Sequence, residues 1–142
     1  MEPIKKLIKQ TTTQIDKEWD KFAVTLGITG VQMTVLDFIA NQENDQVSQH
    51  EIEKEFGLQR STVTVMVQRM EKRDLIERIS SKTDKRQKLV SLTQKGKSLI
   101  PRIKDYVKDD DQKLRAHFSD ADLQTLIEIL NYVKNGGNNA SN

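Results

Sequence analysis

Apolar residues recur at helical spacing along most of this chain, but the spacing changes at Leu75. The segments Leu75–Ile79 and Leu89–Leu92 are short, β-prone runs, and the polar, basic segment Ser80–Lys88 separates them. Two such runs around a polar segment are typical of a β-hairpin. The sequence therefore predicts one hairpin with a long tip inside an otherwise helical chain.

The first helix is predicted between Pro3 and Gly27, because proline suits a first helical turn and glycine suits a helix end. Its apolar stripe recurs at three- and four-residue steps. The stripe consists of Ile4, Ile8, Thr11, Ile15, Trp19, Phe22 and Leu26. A long helix with so narrow a stripe needs a partner along its whole length, which one short domain cannot provide.

Two capping boxes, Thr29–Gln32 and Ser48–Glu51, mark the starts of a second and a third helix. A polar break over residues 41–45 separates these helices, and Gly57 ends the third. The residues expected to face inward are Val31, Val35, Leu36, Phe38 and Ile39 in the second helix, and Ile52 and Phe56 in the third.

A fourth helix is predicted from about Arg60 to Arg73, with two faces of different character. The core-facing residues are Val63, Met66, Val67 and Met70. The residues on or near the other face are Arg60, Ser61, Thr62, Thr64, Gln68 and Arg69. This second face is rich in hydroxyl, amide and guanidinium groups.

Two more helices are predicted after the hairpin, with Thr93 and Ser119 as their caps. Their apolar residues are Leu99, Ile100, Ile103, Tyr106, Val107, Leu114 and Phe118 in the fifth, and Leu123, Leu126, Ile127, Leu130 and Val133 in the sixth. The tail, residues 136–142, is rich in glycine and asparagine and is predicted to be disordered.

The charge is concentrated in the middle of the chain. The whole sequence carries a net charge of +2, whereas the segment Gln59–Lys97 holds eleven basic and four acidic residues, a local charge of +7. A basic middle between acidic flanks is expected of a nucleic-acid surface. A solvated, lysine-rich face would give the same count, so the charge alone leaves both interpretations open.

Several classes of function have no support in the sequence. The chain contains no cysteine, which excludes disulfides, thiol catalysis and thiolate metal sites. Its two histidines, His50 and His117, have no partner at ligand spacing, so no metal or cofactor is expected. We find no catalytic constellation and no apolar run of the ~18 residues that a membrane span needs. The beginning of the chain resembles no signal peptide, so a cytoplasmic location is expected.

The order of these elements predicts a winged helix-turn-helix. A helix fits the major groove of B-DNA, where side chains can distinguish all four base pairs. The hydroxyls of Ser61, Thr62 and Thr64 can bond phosphates or bases. Gln68 can read a base edge, and Arg60 can pair with guanine. An arginine at the hairpin tip can enter the narrow minor groove, where the potential is most negative.

The segment from Thr29 to Gly96 resembles the MarR-type (multiple antibiotic resistance) regulators. The matching pieces are Thr29-x-x-Gln32 followed by Leu36, Ser61-Thr62-x-Thr64, Met70-Glu71-Lys72-Arg73-x-Leu75-Ile76, and Asp84-x-Arg86 followed by Leu92-Thr93-x-x-Gly96. One position departs from the family, which usually has glycine where this chain has Asp74. Aspartate can adopt the left-handed backbone expected there at a cost of about 1 kcal/mol.

The resemblance implies roles for the hairpin tip, or wing. Arg86 would enter the minor groove, and Asp84 would orient its guanidinium through a bidentate pair. Lys82, Lys85 and Lys88 would contact phosphates, and the face of the fourth helix from Arg60 to Arg69 would contact the DNA. Two alternatives stay open: Asp84 and Arg86 could simply neutralise each other, and the polar face of the fourth helix could be an ordinary solvated surface.

The resemblance also implies an architecture and a function. It predicts a mainly α, single MarR-like domain over residues 1–142, with a DNA-binding lobe at about 29–96, a two-stranded wing, and dimerisation helices at about 3–27 and 93–135. The expected function is a non-enzymatic transcription regulator, a repressor, that binds a palindromic operator in double-stranded DNA as a homodimer. The resemblance further implies a small-molecule effector, for which Trp19, Met33 and Asp37 are candidate contacts.

Two other classes of function compete with this interpretation. In the first, the basic face binds a protein partner or packages DNA without sequence preference. The polar residues of the fourth helix argue against it, because packaging needs charge rather than amides that read bases. The second class, an enzyme, has no supporting constellation of residues.

Overall fold

The computed structural model describes residues 1–81, 83 and 86–138. The helices are α1 (Ile4–Thr25), α2 (Gly30–Ala40), α3 (Gln49–Phe56), α4 (Arg60–Lys72), α5 (Gln94–Arg115) and α6 (Asp120–Lys134). The strands are β1 (Gln46–Ser48), β2 (Ile76–Ser80) and β3 (Lys88–Leu92). The predicted fold class, mainly helical with a β-hairpin wing, is confirmed.

The chain divides into two compact units, Met1–Ile103 and Lys104–Asn142. Helices α1 to α4 and all three strands lie in the first unit, and α6 lies in the second. The domain boundaries that the sequence suggested, including one domain over residues 1–142, stay a prediction.

The sheet of the first unit has one strand more than the sequence predicted. Its order is β1-β3-β2, with both pairs antiparallel, so β3 is central and Val90 pairs with Val47 on one side and Arg78 on the other. The polar break before β1 contains a 3-10 turn over Glu43–Asp45. A three-residue strand has too few residues to show an alternating pattern, which is why the sequence did not reveal β1.

Both predicted capping boxes form at the starts of α2 and α3. The Thr29 hydroxyl accepts from the Gln32 backbone N–H at 3.1 Å, and the Gln32 side chain accepts from the Thr29 N–H at 3.1 Å. Ser48 and Glu51 repeat the arrangement at 3.1 and 3.2 Å. These bonds satisfy backbone donors that would otherwise have no partner at a helix start.

The core of the first unit lies between the helices and the sheet. Its fully buried large side chains include Met33, Leu36, Ile39, Ile52, Met70, Leu75 and Ile76. Four residues predicted to face inward are not fully buried. Val31 is 54% exposed, because it lies about 100° around the first turn of α2 from the buried side. Phe38, Phe56 and Met66 are half-buried.

The turn between α4 and β2 is tied to the start of α5. Asp74 has a φ of 61°, the left-handed backbone that was expected of it. Its carbonyl accepts from the Thr93 hydroxyl at 2.6 Å, and the same hydroxyl accepts from the Gly96 N–H at 3.0 Å. A Cβ at Gly96 would overlap the Leu75 carbonyl oxygen. The Leu-Thr-x-x-Gly motif therefore holds a close contact between backbone segments.

The second unit leaves most of its apolar side chains exposed. Ser119 caps α6, and its hydroxyl accepts from the Asp122 N–H at 3.1 Å. Leu123 is buried, whereas Leu126, Ile127, Ile129, Leu130 and Tyr132 are 39–52% exposed. In the tail that was predicted to be disordered, Gly136 and Gly137 belong to a turn that follows α6, and residues 139–142 lie outside the described residues.

Within the described ranges, no single helix is both long and apolar enough to cross a membrane. Only the pair α1 and α2, bent by 81° at their junction, meets the requirement of length and composition together.

Candidate nucleic-acid interface

Helix α4 has one fully buried face and one polar, exposed face. Val63, Val67 and Met70 are 0% exposed and pack into the core. On the side facing away from them, the exposed side chains include four that the sequence assigned to DNA. These are Ser61, Thr62, Gln68 and Arg69. The spacing of the buried residues thus fixes which groups α4 presents outward.

Thr64 differs from the other predicted contacts because its hydroxyl is already engaged within the protein. The hydroxyl donates to the Arg60 carbonyl at 2.9 Å and accepts from the Gln49 side chain at 3.0 Å. Thr64 is half-buried, whereas the other four are exposed, and it lies on the side of α4 that faces α3. We conclude that its hydroxyl links the two helices of the helix-turn-helix.

Gln49, the partner of Thr64, was missed by the sequence reasoning. It is the first residue of α3 and is only 8% exposed. Its Nε2 donates to Thr64, but its buried Oε1 has no hydrogen-bond partner among the described residues. An amide oxygen that is buried without a hydrogen-bond donor raises the free energy of the folded state. The position therefore suits a ligand that donates a hydrogen bond, or a Gln49 side chain whose amide group is turned over. In the sequence, the only sign of this role was that a glutamine follows the capping residue Ser48.

A small pocket of about 250 Å³ joins α3, α4 and the wing. Its lining combines Arg60 and Thr64 from α4 with Arg86 and Lys88 from the wing, and Gln49 from α3. The sequence assigned the α4 and wing residues to DNA separately, and the fold brings them to one place. Three cationic side chains and one carboxylate, that of Glu53, line the pocket, and the excess of positive charge favours a negatively charged ligand such as a phosphate.

The wing is described in part. Arg86 and Lys88 are exposed, as a role in binding requires. At the tip, the Thr83 N–H donates to the Ser81 hydroxyl at 3.3 Å, and the Ser81 N–H donates to the Gln87 carbonyl at 3.4 Å. Lys82, Asp84 and Lys85 lie outside the described residues, so the pair of Asp84 and Arg86 stays a prediction.

Several basic residues of the positive segment bond to other parts of the protein and stabilise the fold. The Arg73 guanidinium donates to the Gly27 carbonyl at 2.9 Å, and Lys95 Nζ donates to the Arg73 carbonyl at 3.0 Å. Arg78 pairs with Glu71 at 3.0 Å and connects the wing to α4. The local charge of +7 therefore overstates the charge available to a ligand.

A larger groove of about 870 Å³ follows the exposed face of α4. Ser61, Thr62 and Arg69 line it from α4, and Val31 lines it from α2. Val65, at the middle of the α4 face, is 45% exposed and was also missed by the sequence reasoning. The signal was available, because Val65 lies on the side of α4 opposite the buried residues.

The candidate effector contacts lie elsewhere in the first unit. Met33 is fully buried, and Trp19 and Asp37 are half-buried. Among residues 1–81, 83 and 86–138, no three His, Asp or Glu side chains gather as a metal site would require.

A family model and a relative each match part of the chain. Residues 26–87 match the model of the MarR family. A Thauera aromatica protein named as a transcriptional regulatory protein for the hcr operon is 34% identical over 106 residues, which is 75% of this chain. The match covers 63% of that relative, so the chain spans less than two thirds of its length.

Two solved structures are similar over almost their full length. The transcription regulator MarR from Oenococcus oeni is 32% identical, with a TM-score of 0.83, and the match covers 94% of this chain and 99% of that one. A cysteine-to-serine mutant of MarR from E. coli, complexed with operator DNA, is 26% identical with a TM-score of 0.80. That match covers 92% of this chain and 93% of the other. These relatives are transcription regulators and not enzymes.

Proposed function

The chain belongs to the MarR family of transcription regulators, and from this premise we propose that it is a DNA-binding repressor. We infer that it occupies a palindromic operator as a homodimer and responds to a small-molecule effector. The observation that carries the proposal is the shared pocket of α3, α4 and the wing, beside the exposed polar face of α4.

Major-groove binding is supported by the composition of the α4 face. Gln68 and Arg69 are exposed there and carry groups that pair with adenine and guanine edges. Ser61 and Thr62 in the first turn are suited to phosphates. The E. coli MarR complex holds operator DNA, and the present chain has the same fold at 26% identity.

Wing binding is supported by the exposure of Arg86 and Lys88 at one edge of the same surface. An arginine reaching the adjacent minor groove would add a charge-assisted contact to the major-groove contacts of α4. Lys88, with Lys82 and Lys85, would add phosphate contacts that raise affinity without selecting sequence.

Homodimer formation is supported by exposed apolar residues on three helices. Ile4, Leu7 and Val24 of α1 are 58–69% exposed, and Leu114 of α5 is 50% exposed. Like the exposed apolar residues of α6, they gain nothing from contact with water. A two-fold dimer would bury such side chains and place two α4 helices about one DNA turn apart.

Effector control would follow from a change in that spacing. A ligand that binds one arrangement of the two lobes better than the other shifts the population toward it, and operator affinity changes accordingly. Trp19, Met33 and Asp37 remain candidate contacts for such a ligand.

The test begins by selecting duplexes from a random pool and measuring the affinity for the selected and for a random duplex. Arg86→Ala is expected to weaken specific binding at least tenfold, because it removes a contact in both half-sites. Arg102→Ala removes the same charge from exposed α5 surface and serves as the control. Equal losses in the two variants would contradict the role of the wing.

Salt dependence and gene expression complete the test. Six to ten phosphate contacts per dimer would lower affinity about a thousandfold or more between 50 and 200 mM salt. A loss below about tenfold would contradict an electrostatic interface. A reporter gene placed behind the selected duplex should be expressed less when the protein is present; higher expression would instead identify an activator.

A further inference from the structure

Val65 is an exposed apolar side chain at the centre of the polar face of α4. Val63, Val67 and Met70 define the buried direction of the helix. At 100° per residue, Val65 lies roughly 190° around the helix from their mean direction. It therefore points almost straight away from the core, and 45% of its surface is exposed.

The neighbours of Val65 on the helix surface are polar or basic. Ser61 lies one turn before it, and Gln68 and Arg69 lie one turn after it, all exposed. Arg69 and Lys72 also line the groove beside Val65. Val65 shares the groove with other apolar side chains, among them Val31 and Met66, and the cations beside it favour a polyanionic partner.

We propose that Val65 is a specificity-determining residue that contacts the 5-methyl group of a thymine in the major groove of the operator. This inference rests on the proposed function and names one element of the operator that α4 recognises. Thymine is the one base whose major-groove edge carries a methyl group, and an apolar side chain is its complement.

The same contact disfavours the other bases at that position. Against Val65, the amino group of cytosine or adenine, or the acceptors of guanine, would lose water without gaining a hydrogen bond. Discrimination therefore has an attractive part, the two apolar surfaces, and a repulsive part, the desolvated polar edges.

The experiment replaces thymine by deoxyuridine, which lacks only the 5-methyl group, at one position at a time in the selected duplex. The unchanged protein is expected to lose about fourfold in affinity per half-site at one thymine, the effect of one buried methyl group. The Val65→Ala variant should lose most of the difference between thymine and uracil duplexes at that position, because only the Cβ of the complementary surface remains.

Val31→Ala is the matched control. Val31 lines the same groove and is 54% exposed, but it belongs to α2. Because it lines the groove, this variant changes the affinity for the thymine and uracil duplexes by the same factor, and it should keep the full preference for thymine over uracil, which depends on Val65. Both variants are expected to keep the melting temperature of the unchanged protein, because both side chains are exposed.

The possible outcomes distinguish a failure of the proposed function from a failure of the role of Val65 alone. A pool that yields no preferred duplex overturns both the proposed function and the role of Val65. A preferred duplex in which no uracil substitution matters overturns the role of Val65 alone. A uracil effect that persists in Val65→Ala, or one that Val31→Ala abolishes equally, assigns the methyl contact to another part of the groove and overturns the inference.

Discussion

The burial of apolar side chains differs between residues 1–103 and residues 104–138. In the first unit, Met33, Leu36 and Ile52 are 0% exposed, and helices and sheet enclose them from several sides. In the described part of the second unit, Leu123 is the only buried apolar residue, at 8%. The first unit thus has a core of its own, whereas the second leaves most of its apolar side chains exposed.

A core deletion should have the largest effect and should be independent of association. Leu36→Ala removes a fully buried side chain and is expected to lower the free energy of unfolding by about 2–5 kcal/mol. Urea unfolding at two protein concentrations should give the same loss. Val31→Ala in the same helix is the control, with an expected loss below about 0.5 kcal/mol. A similar loss in both would contradict the difference in burial.

Charges on α6 should break the proposed dimer and leave the first unit folded. Leu126→Glu combined with Leu130→Glu would place two carboxylates in the interface, and we expect the dimer dissociation constant to rise at least about a hundredfold. Sedimentation measures the change. Asn131→Glu, at an exposed residue of the same helix, should leave it unaltered. A double variant that sediments like the parent would place the interface elsewhere.

Gly96→Ala tests the contact between α5 and the turn before β2. The added Cβ meets the Leu75 carbonyl oxygen, a rigid backbone atom, so we expect a loss of about 1–3 kcal/mol in the free energy of unfolding. Gln94→Ala, at the exposed start of α5, is the control and should cost little. Thermal unfolding of the two variants provides the measurement; equal melting temperatures would mean that the backbones are not held together.

Local signals allowed most of the fold to be predicted from the sequence. The capping boxes at Thr29 and Ser48, the stop at Gly57 and the left-handed Asp74 each depend on a few neighbouring residues. The hairpin was predicted because its two strands are close in sequence, whereas β1 pairs with a strand far along the chain. Long-range pairing leaves no local pattern that could identify so short a strand.

The candidate interface was predictable as a set of side chains but not as an arrangement. Periodicity along α4 identified the outward residues, and the family resemblance supplied the wing. The bond from Gln49 to Thr64 joins two helices, so neither helix alone reveals it. Val65 was overlooked because an apolar residue within a helix is more often part of the core than of a binding surface.

The bonds around Arg73 have a mechanical consequence for how α4 can move. At the end of α4, the Arg73 side chain donates a hydrogen bond to Gly27 in the α1–α2 turn, and Lys95 at the start of α5 donates one to the Arg73 carbonyl. The next residue, Asp74, accepts a hydrogen bond from Thr93. A displacement of this end of α4 alone would break all three bonds, so the end is anchored within its own protomer. In the proposed dimer, the distance between the two helices would then change only when whole lobes move as rigid bodies. The tolerance for operators with altered half-site spacing would therefore depend on how the protomers are joined, and substitutions within α4 would leave it unchanged.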